Sequence, residues 1–268
     1  MRSNIQHRTV GADSHIWRYC GPAILGCVLA ITSVCAAQEQ HPGHTWDYGT
    51  EHGPTHWGEL APEFAECKVG HHQSPIDIRH PQAANLPPIE FHYEPSALDI
   101  IDNGHTIMIN YGPGSYMTVG GKKYVLKQFH FHHPSEEHVN GKKYDLVAHL
   151  VHSDADGHLA VVAILFKRDS TPAPLLDTLW KNLSAEKGRV VAVSSVFINA
   201  KDLLPPTAGY YTFAGSLTTP PCTEGVTWYV LKTPVDISER QLDAFAKIYK
   251  HDNRPIQPTN QREVLESK

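Results

Sequence analysis

The sequence predicts a single domain of mixed α/β class that is mostly β. Three observations carry this expectation. From about residue 74 onward, short β-type runs alternate with turn signals. Helical signals are fewer, with two stretches the best of them. Neither an internal repeat nor a linker divides residues 40–268, and 41% apolar with 19% charged residues is an ordinary globular composition.

Taken in chain order, the first element is not part of the fold. Arg2, Arg8 and Arg18 precede an apolar run over 23–37 that ends in Cys35-Ala36-Ala37 before the polar Gln38-Glu39-Gln40. A charged start, a short apolar stretch and small residues read as a secretory signal peptide over 1–37, which places the mature chain, 38–268, in the periplasm or outside the cell. A membrane anchor is the alternative, but about 15 apolar residues fall short of the roughly 20 that span a bilayer. Stable membrane insertion after cleavage is therefore not expected. Residues 38–56, rich in His, Gly and Thr, read as an irregular arm anchored by Trp46, Tyr48 and Trp57.

Strands over 97–101 and 105–110 flank Asp102-Asn103-Gly104, and strands over 116–119 and 123–126 flank Gly120-Gly121, both hairpin signals. Residues 124–132 alternate, with Val125, Lys127, Phe129 and Phe131 on one face and Leu126, Gln128, His130 and His132 on the other. A strand over 146–152 follows, then one over 159–167 whose continuous apolar character marks it as central. Residues 227–232 form another. Helices are expected over 174–182 and 238–249, the second with Ser238 as N-cap and Leu242, Phe245, Ala246 and Tyr249 on one face.

A formal net charge of −5 gives no electrostatic reason to expect nucleic acid or an anionic membrane as partner. Removing the leader takes Cys20, Cys27 and Cys35 with it and leaves Cys67 and Cys222. Two cysteines in an oxidising compartment read as one disulfide, two buried free thiols being the alternative.

The 19 histidines stand out. His130 and His132, two apart in a strand, project from the same face and are close enough to share one ion. His149 on a neighbouring strand is the best-placed third imidazole. Three neutral imidazoles leave a tetrahedral zinc one open position, the mark of a catalytic site. Taken alone, a His-x-His pair is weak evidence, since many are surface histidines.

The surrounding blocks sharpen this. Gln128-Phe129-His130-Phe131-His132, Ser135-Glu136-Glu137-His138, Ala148-His149-Leu150-Val151-His152 and Gly215-Ser216-Leu217-Thr218-Thr219-Pro220-Pro221-Cys222 together resemble the alpha carbonic anhydrases. So do Gln73-Ser74-Pro75-Ile76-Asp77-Ile78, Asn103-Gly104-His105, Val226-Thr227-Trp228 and Arg254-Pro255-Ile256-Gln257-Pro258. The likeness runs in family order from about Trp46 to Pro258.

The resemblance implies a large central, mainly antiparallel twisted sheet with short peripheral helices. It implies reversible hydration of carbon dioxide to bicarbonate and a proton, with one Zn2+ per chain on His130, His132 and His149 holding a hydroxide. Thr218 would accept a hydrogen bond from that hydroxide and pass its own to Glu137. Val151, Val161, Leu217, Val226 and Trp228 match the apolar substrate pocket, and Thr219 a hydroxyl at its rim. His105 matches the proton shuttle, a role suited to a group titrating near 6.5, with Tyr48 and Asn103 ordering the water between. A homodimer is open, since bacterial members commonly dimerise. The other readings are a related module that binds without catalysis, in which zinc histidines are usually lost, and a periplasmic zinc-binding protein using His41, His44, His52 and His56.

One departure is conspicuous. Gln128 can serve His130, and the backbone near Asp252 can serve His132, but the glutamate that much of the family carries two residues before the third ligand is here Val147. With only Glu136 or Asp145 as spatial substitutes, weakened metal affinity is expected. Met108, where many bacterial relatives are polar, is a minor second departure. His133, His138, His152 and His158 are read as structural or exposed.

Overall fold

The structure, a computed structural model, describes residues 45–268. The expected signal peptide and residues 38–44 of the arm, with His41 and His44, lie outside the described residues. Residues 45–56 contain neither helix nor strand. Trp46, Tyr48 and Trp57 pack edge to face with centroids 5.2–5.6 Å apart, and Trp57 is fully buried.

The frame is a sheet of 13 strands. Its main path runs in space through Val190–Ile198, Ser96–Asp102, Ile107–Asn110, Lys122–His132, Leu146–Ser153, Leu159–Asp169, Glu224–Leu231, Tyr210–Ser216, Leu265–Ser267 and Gln82–Ala84. Most neighbours are antiparallel. Leu159–Asp169 is the exception at the centre, pairing in parallel with both Glu224–Leu231 and Val235–Ser238. Seven consecutive residues of that strand, 160–166, are buried, as a strand covered on both faces requires.

The two faces carry different cores. Leu146, Ala148, Leu150, Ala160, Val162, Ile164, Phe129 and Phe131 point into the larger one, capped by the helices Pro174–Asn182 and Glu239–Ala246. Val147, Val161, Ala163, Leu165, Val226, Trp228 and Val230 form the smaller one on the opposite face. The helix expected from residue 238 begins as predicted. Ser238 Oγ accepts from the Gln241 amide, and the Gln241 side chain returns the bond to complete a capping box.

The expected strict alternation over 124–132 does not hold. Leu126 lies in the larger core with Phe129 and Phe131, not on the face of His130 and His132. Register explains it: Val151 pairs with Gln128 but His152 pairs with Leu126, so Lys127 is an extra residue on its strand. One inserted residue reverses the parity of everything on one side of it.

A second, three-stranded sheet places His138–Val139 parallel to Asp77–Ile78 and antiparallel to Lys142–Lys143. Cys67 and Cys222 are bonded, with Cα atoms 5.0 Å apart across a sequence separation of 155. Closing so long a loop stabilises the fold by about 3–5 kcal/mol in the chain-entropy account. Gly215, beside the 217–223 loop, is required by packing: a Cβ there would lie 2.2 Å from Ser74 Oγ and 2.7 Å from Trp228 Cδ1. Among the described residues no helix is long and apolar enough to cross a membrane.

His152 shows how firmly the larger core holds a polar ring. Its Nε2 meets Tyr93 Oη at 2.7 Å and its Nδ1 meets Leu150 O at 2.9 Å, with no exposure. Burial pulls its pKa down to about 4, the two backbone contacts opposing. The unfolded chain therefore binds a proton from about pH 6.5 downward that the folded chain refuses until about pH 4. The associated stability is complete above 6.5 and is lost as pH falls to 4, by roughly 3 kcal/mol. Urea unfolding across this range should show a shallower acid limb in His152→Gln than in the parent; identical slopes would contradict the assignment.

Candidate metal centre

Register brings the three histidines together. His149 lies directly opposite His130 on the adjacent strand, and His132 opposite Val147. Because Phe129 and Phe131 take the larger core, His130 and His132 share the other face with His149. Ring centroids are 4.9–5.4 Å apart, and one nitrogen from each ring lies within 4.8 Å of the others.

Which nitrogen converges is set from outside. His130 Nδ1 donates to Gln128 Oε1 at 2.8 Å, and His132 Nδ1 donates to the Asp252 carbonyl at 2.6 Å. His149 Nε2 donates to both oxygens of Glu137, at 3.0 and 3.2 Å. A carbonyl or carboxylate can only accept, so each bond fixes a tautomer. Nε2 of His130, Nε2 of His132 and Nδ1 of His149 are left as lone-pair donors. His132 Nε2 is buried with no hydrogen-bond partner among the described residues, as a metal-facing nitrogen would be.

The electrostatics favour neutral rings at two of the three positions. Burial, reinforced by His149, holds His130 down at about 3. Burial and both neighbouring rings hold His132 well below its ordinary value. At His149 burial pulls down, but the charge and hydrogen bond of Glu137, with Glu136 behind, outweigh it and the net shift is upward. A cation on Nδ1 would take the place of that extra proton. Three nitrogen donors fit zinc, and three protein ligands are the number typical of a catalytic zinc site.

The adjacent acids divide their work differently from expectation. Sequence reasoning paired Thr218 with Glu137, whereas Glu136 is the carboxyl whose pKa the Thr218 hydroxyl helps to lower. Glu136 Oε1 also accepts the Arg254 amide at 2.7 Å, and its Oε2 stands 3.6 Å from His132 Nε2 and 3.9 Å from His149 Nδ1. Burial above all raises its pKa to about 7. Glu137 faces His149 instead. Neither Glu136 nor Asp145 takes that place; the Asp145 carboxylate accepts the Arg168 amide at 2.7 Å. The expected weakness of the metal site rested on an unpartnered His149, and so loses its basis.

The 252–254 segment, whose side chains had no expected role, ties these parts together. Asp252 Oδ1 accepts the His133 amide at 2.6 Å. The buried Arg254 guanidinium donates to Gln73 Oε1, Ser74 O and Cys67 O at 2.8–3.0 Å, which docks the disulfide loop against the ligand strands. Val161, Val226 and Trp228 are buried in the smaller core, and Val151 and Leu217 pack against it partly exposed. Trp228 packs edge to face with His149, ring centroids 4.9 Å apart. Thr219 is half-buried in the 217–223 loop, where its carbonyl accepts the Cys222 amide at 2.8 Å. Met108 pairs with His130 across the strands.

His105 lies at the rim of a cavity of about 400 Å³ shared with Tyr48, Lys187, Lys250 and His251. Gly104, at φ +89°, makes the turn before it. Asn103 Oδ1 accepts the amides of His105 and Thr106, both at 2.9 Å, so that side chain holds the turn. Tyr48 Oη is buried without a protein partner among the described residues. A second acidic group, Asp154, Asp156 and His158, also clusters. There the Asp154 carboxylate is already taken by Lys122 Nζ at 2.6 Å, His158 Nδ1 at 3.0 Å and two amides, which reads as a closed turn.

The comparisons with known proteins bear on this geometry directly. The family model described as eukaryotic-type carbonic anhydrase matches residues 52–268. The chain belongs to that family. A carbonic anhydrase of Neisseria gonorrhoeae is 43% identical over 242 residues, covering 89% of this chain and 94% of the relative. A carbonic anhydrase of Nostoc sp. is 41% identical over 256 residues, 92% and 94% respectively. The alpha-carbonic anhydrase of Thermovibrio ammonificans, solved in complex with the inhibitor sulfanilamide, aligns with TM-score 0.80 and 44% identity, covering 84% of this chain and all of that one. The residues matched by the family model include all three histidines.

Trp46 was expected only as an anchor of the arm. It stacks on His105 at a centroid distance of 3.7 Å and 10° between planes. Burial lowers the His105 pKa, with Asp47 and Asp102 opposing and Lys187 assisting. Trp46→Ala uncovers the ring, so an NMR titration of His105 should move upward, toward 6.5. A pKa that stays or falls would show that the stack is not what desolvates it.

Proposed function

We propose that this enzyme catalyses the reversible hydration of carbon dioxide to bicarbonate and a proton, with one zinc ion held by His130, His132 and His149. The carrying observation is that each of the three imidazoles has one nitrogen tied to a protein acceptor and the other turned to a common point beside an apolar wall. Zinc bound there supplies Lewis acidity, which brings the pKa of a water ligand to about 7; the general principle takes carbonic anhydrase itself as its example.

The chain's own residues supply the rest. Thr218 directs its O–H toward Glu136 and so turns only lone pairs to the site, which orients an attacking oxygen that still carries a proton. Val151, Val161, Leu217, Val226 and Trp228 exclude water and receive an uncharged substrate that needs little polar recognition. His105, half-exposed at the mouth with a pKa below 6.5, takes the product proton and passes it to buffer near neutral pH. Asn103 holds the turn that carries His105, and Tyr48 lines the same cavity. The Cys67–Cys222 disulfide supports an oxidising compartment, in line with export of a mature domain beginning near residue 38.

Stopped-flow measurement of carbon dioxide hydration tests this. Activity should vanish on chelation and return with zinc. It should fall in His132→Ala by more than the roughly 10–100-fold that loss of an outer ligand partner costs. Activity that survives both treatments, or a folded zinc-loaded protein without activity, would contradict the proposal.

A further inference from the structure

The third ligand has a partner that its own strand does not provide. Val147, two residues before His149, is fully buried in the smaller core with Val161, Ala163 and Trp228. Among the described residues no carboxylate bonds His149 from that strand. Glu137, equally buried, places both oxygens on Nε2 from the loop that precedes His138–Val139. That loop is itself held. Ser135 exchanges backbone and hydroxyl bonds with Tyr144 at 2.9–3.0 Å, Ser135 Oγ donates to the Glu137 carbonyl at 3.0 Å, and the His138 amide donates to Ile76 O at 3.2 Å. Glu136, next along the loop, serves Thr218. Two consecutive glutamates thus meet two separate demands.

We propose that Glu137 is the positioning residue of the third ligand, and that positions 137 and 147 are alternative sources of one and the same carboxylate. The inference rests on the metal-centre reading above and deepens it. A carboxylate on the distal nitrogen fixes the ring's tautomer and raises its basicity toward a metal. One N–H offers a single bond, so a second buried carboxylate at 147 would find no proton to accept and would remain desolvated beside Glu137.

Zinc affinity by competition with a chromophoric chelator, together with thermal unfolding, tests the exchange without using turnover. Glu137→Gln should raise the zinc Kd by about 10–100-fold, and Glu137→Ala at least as much. Val147→Glu alone should not tighten zinc and should lower Tm. The double variant Glu137→Ala/Val147→Glu should regain most of the affinity that Glu137→Ala loses. Wild-type affinity in Glu137→Gln, or tighter zinc in Val147→Glu, would overturn the proposal, and the second result does not depend on any Glu137 variant folding. Wild-type protein that binds no zinc would instead overturn the metal-centre reading and this inference with it.

Discussion

A buried imidazole has two nitrogens, and the protein can aim one only by occupying the other. That constraint organises the region around the three histidines. Gln128 comes from the ligand strand itself, the Asp252 carbonyl from the C-terminal loop, and Glu137 from the loop after His132. None of the three acceptors is interchangeable in kind: an amide, a backbone carbonyl and a carboxylate. Only the last carries charge, and it serves the one ring whose pKa is pushed upward.

Holding these acceptors in place requires parts of the chain far apart in sequence. Arg254 is 1% exposed, and its guanidinium bonds Gln73, Ser74 and Cys67 while its amide bonds Glu136. Burying such a group is costly; the bonds from its two terminal nitrogens offset that cost, although Nε has no hydrogen-bond partner among the described residues, and they hold the segment and the Asp252 carbonyl with it. The disulfide fastens the same surroundings covalently, joining Cys67 to the loop that carries Thr218. The arm adds a further layer, with Trp57 under the Arg254 guanidinium at 5.7 Å and Trp46 over His105.

Much of the site was legible because a strand maps sequence spacing onto a face. His130 and His132 are two apart, so they share a side, and alternation with Phe129 and Phe131 marks which side is core. That logic failed at Leu126, because a bulge at Lys127 reverses parity and leaves no local signature in composition. It could not choose between Glu136 and Glu137 either. Adjacent residues of an extended loop face opposite ways, and which faces Thr218 depends on how His138–Val139 pairs with Asp77–Ile78. Other elements were readable and missed: Val190–Ile198 is rich in β-branched residues, though its exposed, uneven burial gives no clean alternation. Short strands such as Gln82–Ala84 and Leu265–Ser267 exist only through pairing with each other and with Tyr210–Ser216.

The most direct test of the account is the protonation pattern of the three rings. Long-range proton–nitrogen NMR on the zinc-loaded protein reads it without reference to activity. Protons are expected on Nδ1 of His130, Nδ1 of His132 and Nε2 of His149, each in a strong hydrogen bond. A proton on the converging nitrogen of any ring, or zinc bound while all three rings remain free, would contradict it.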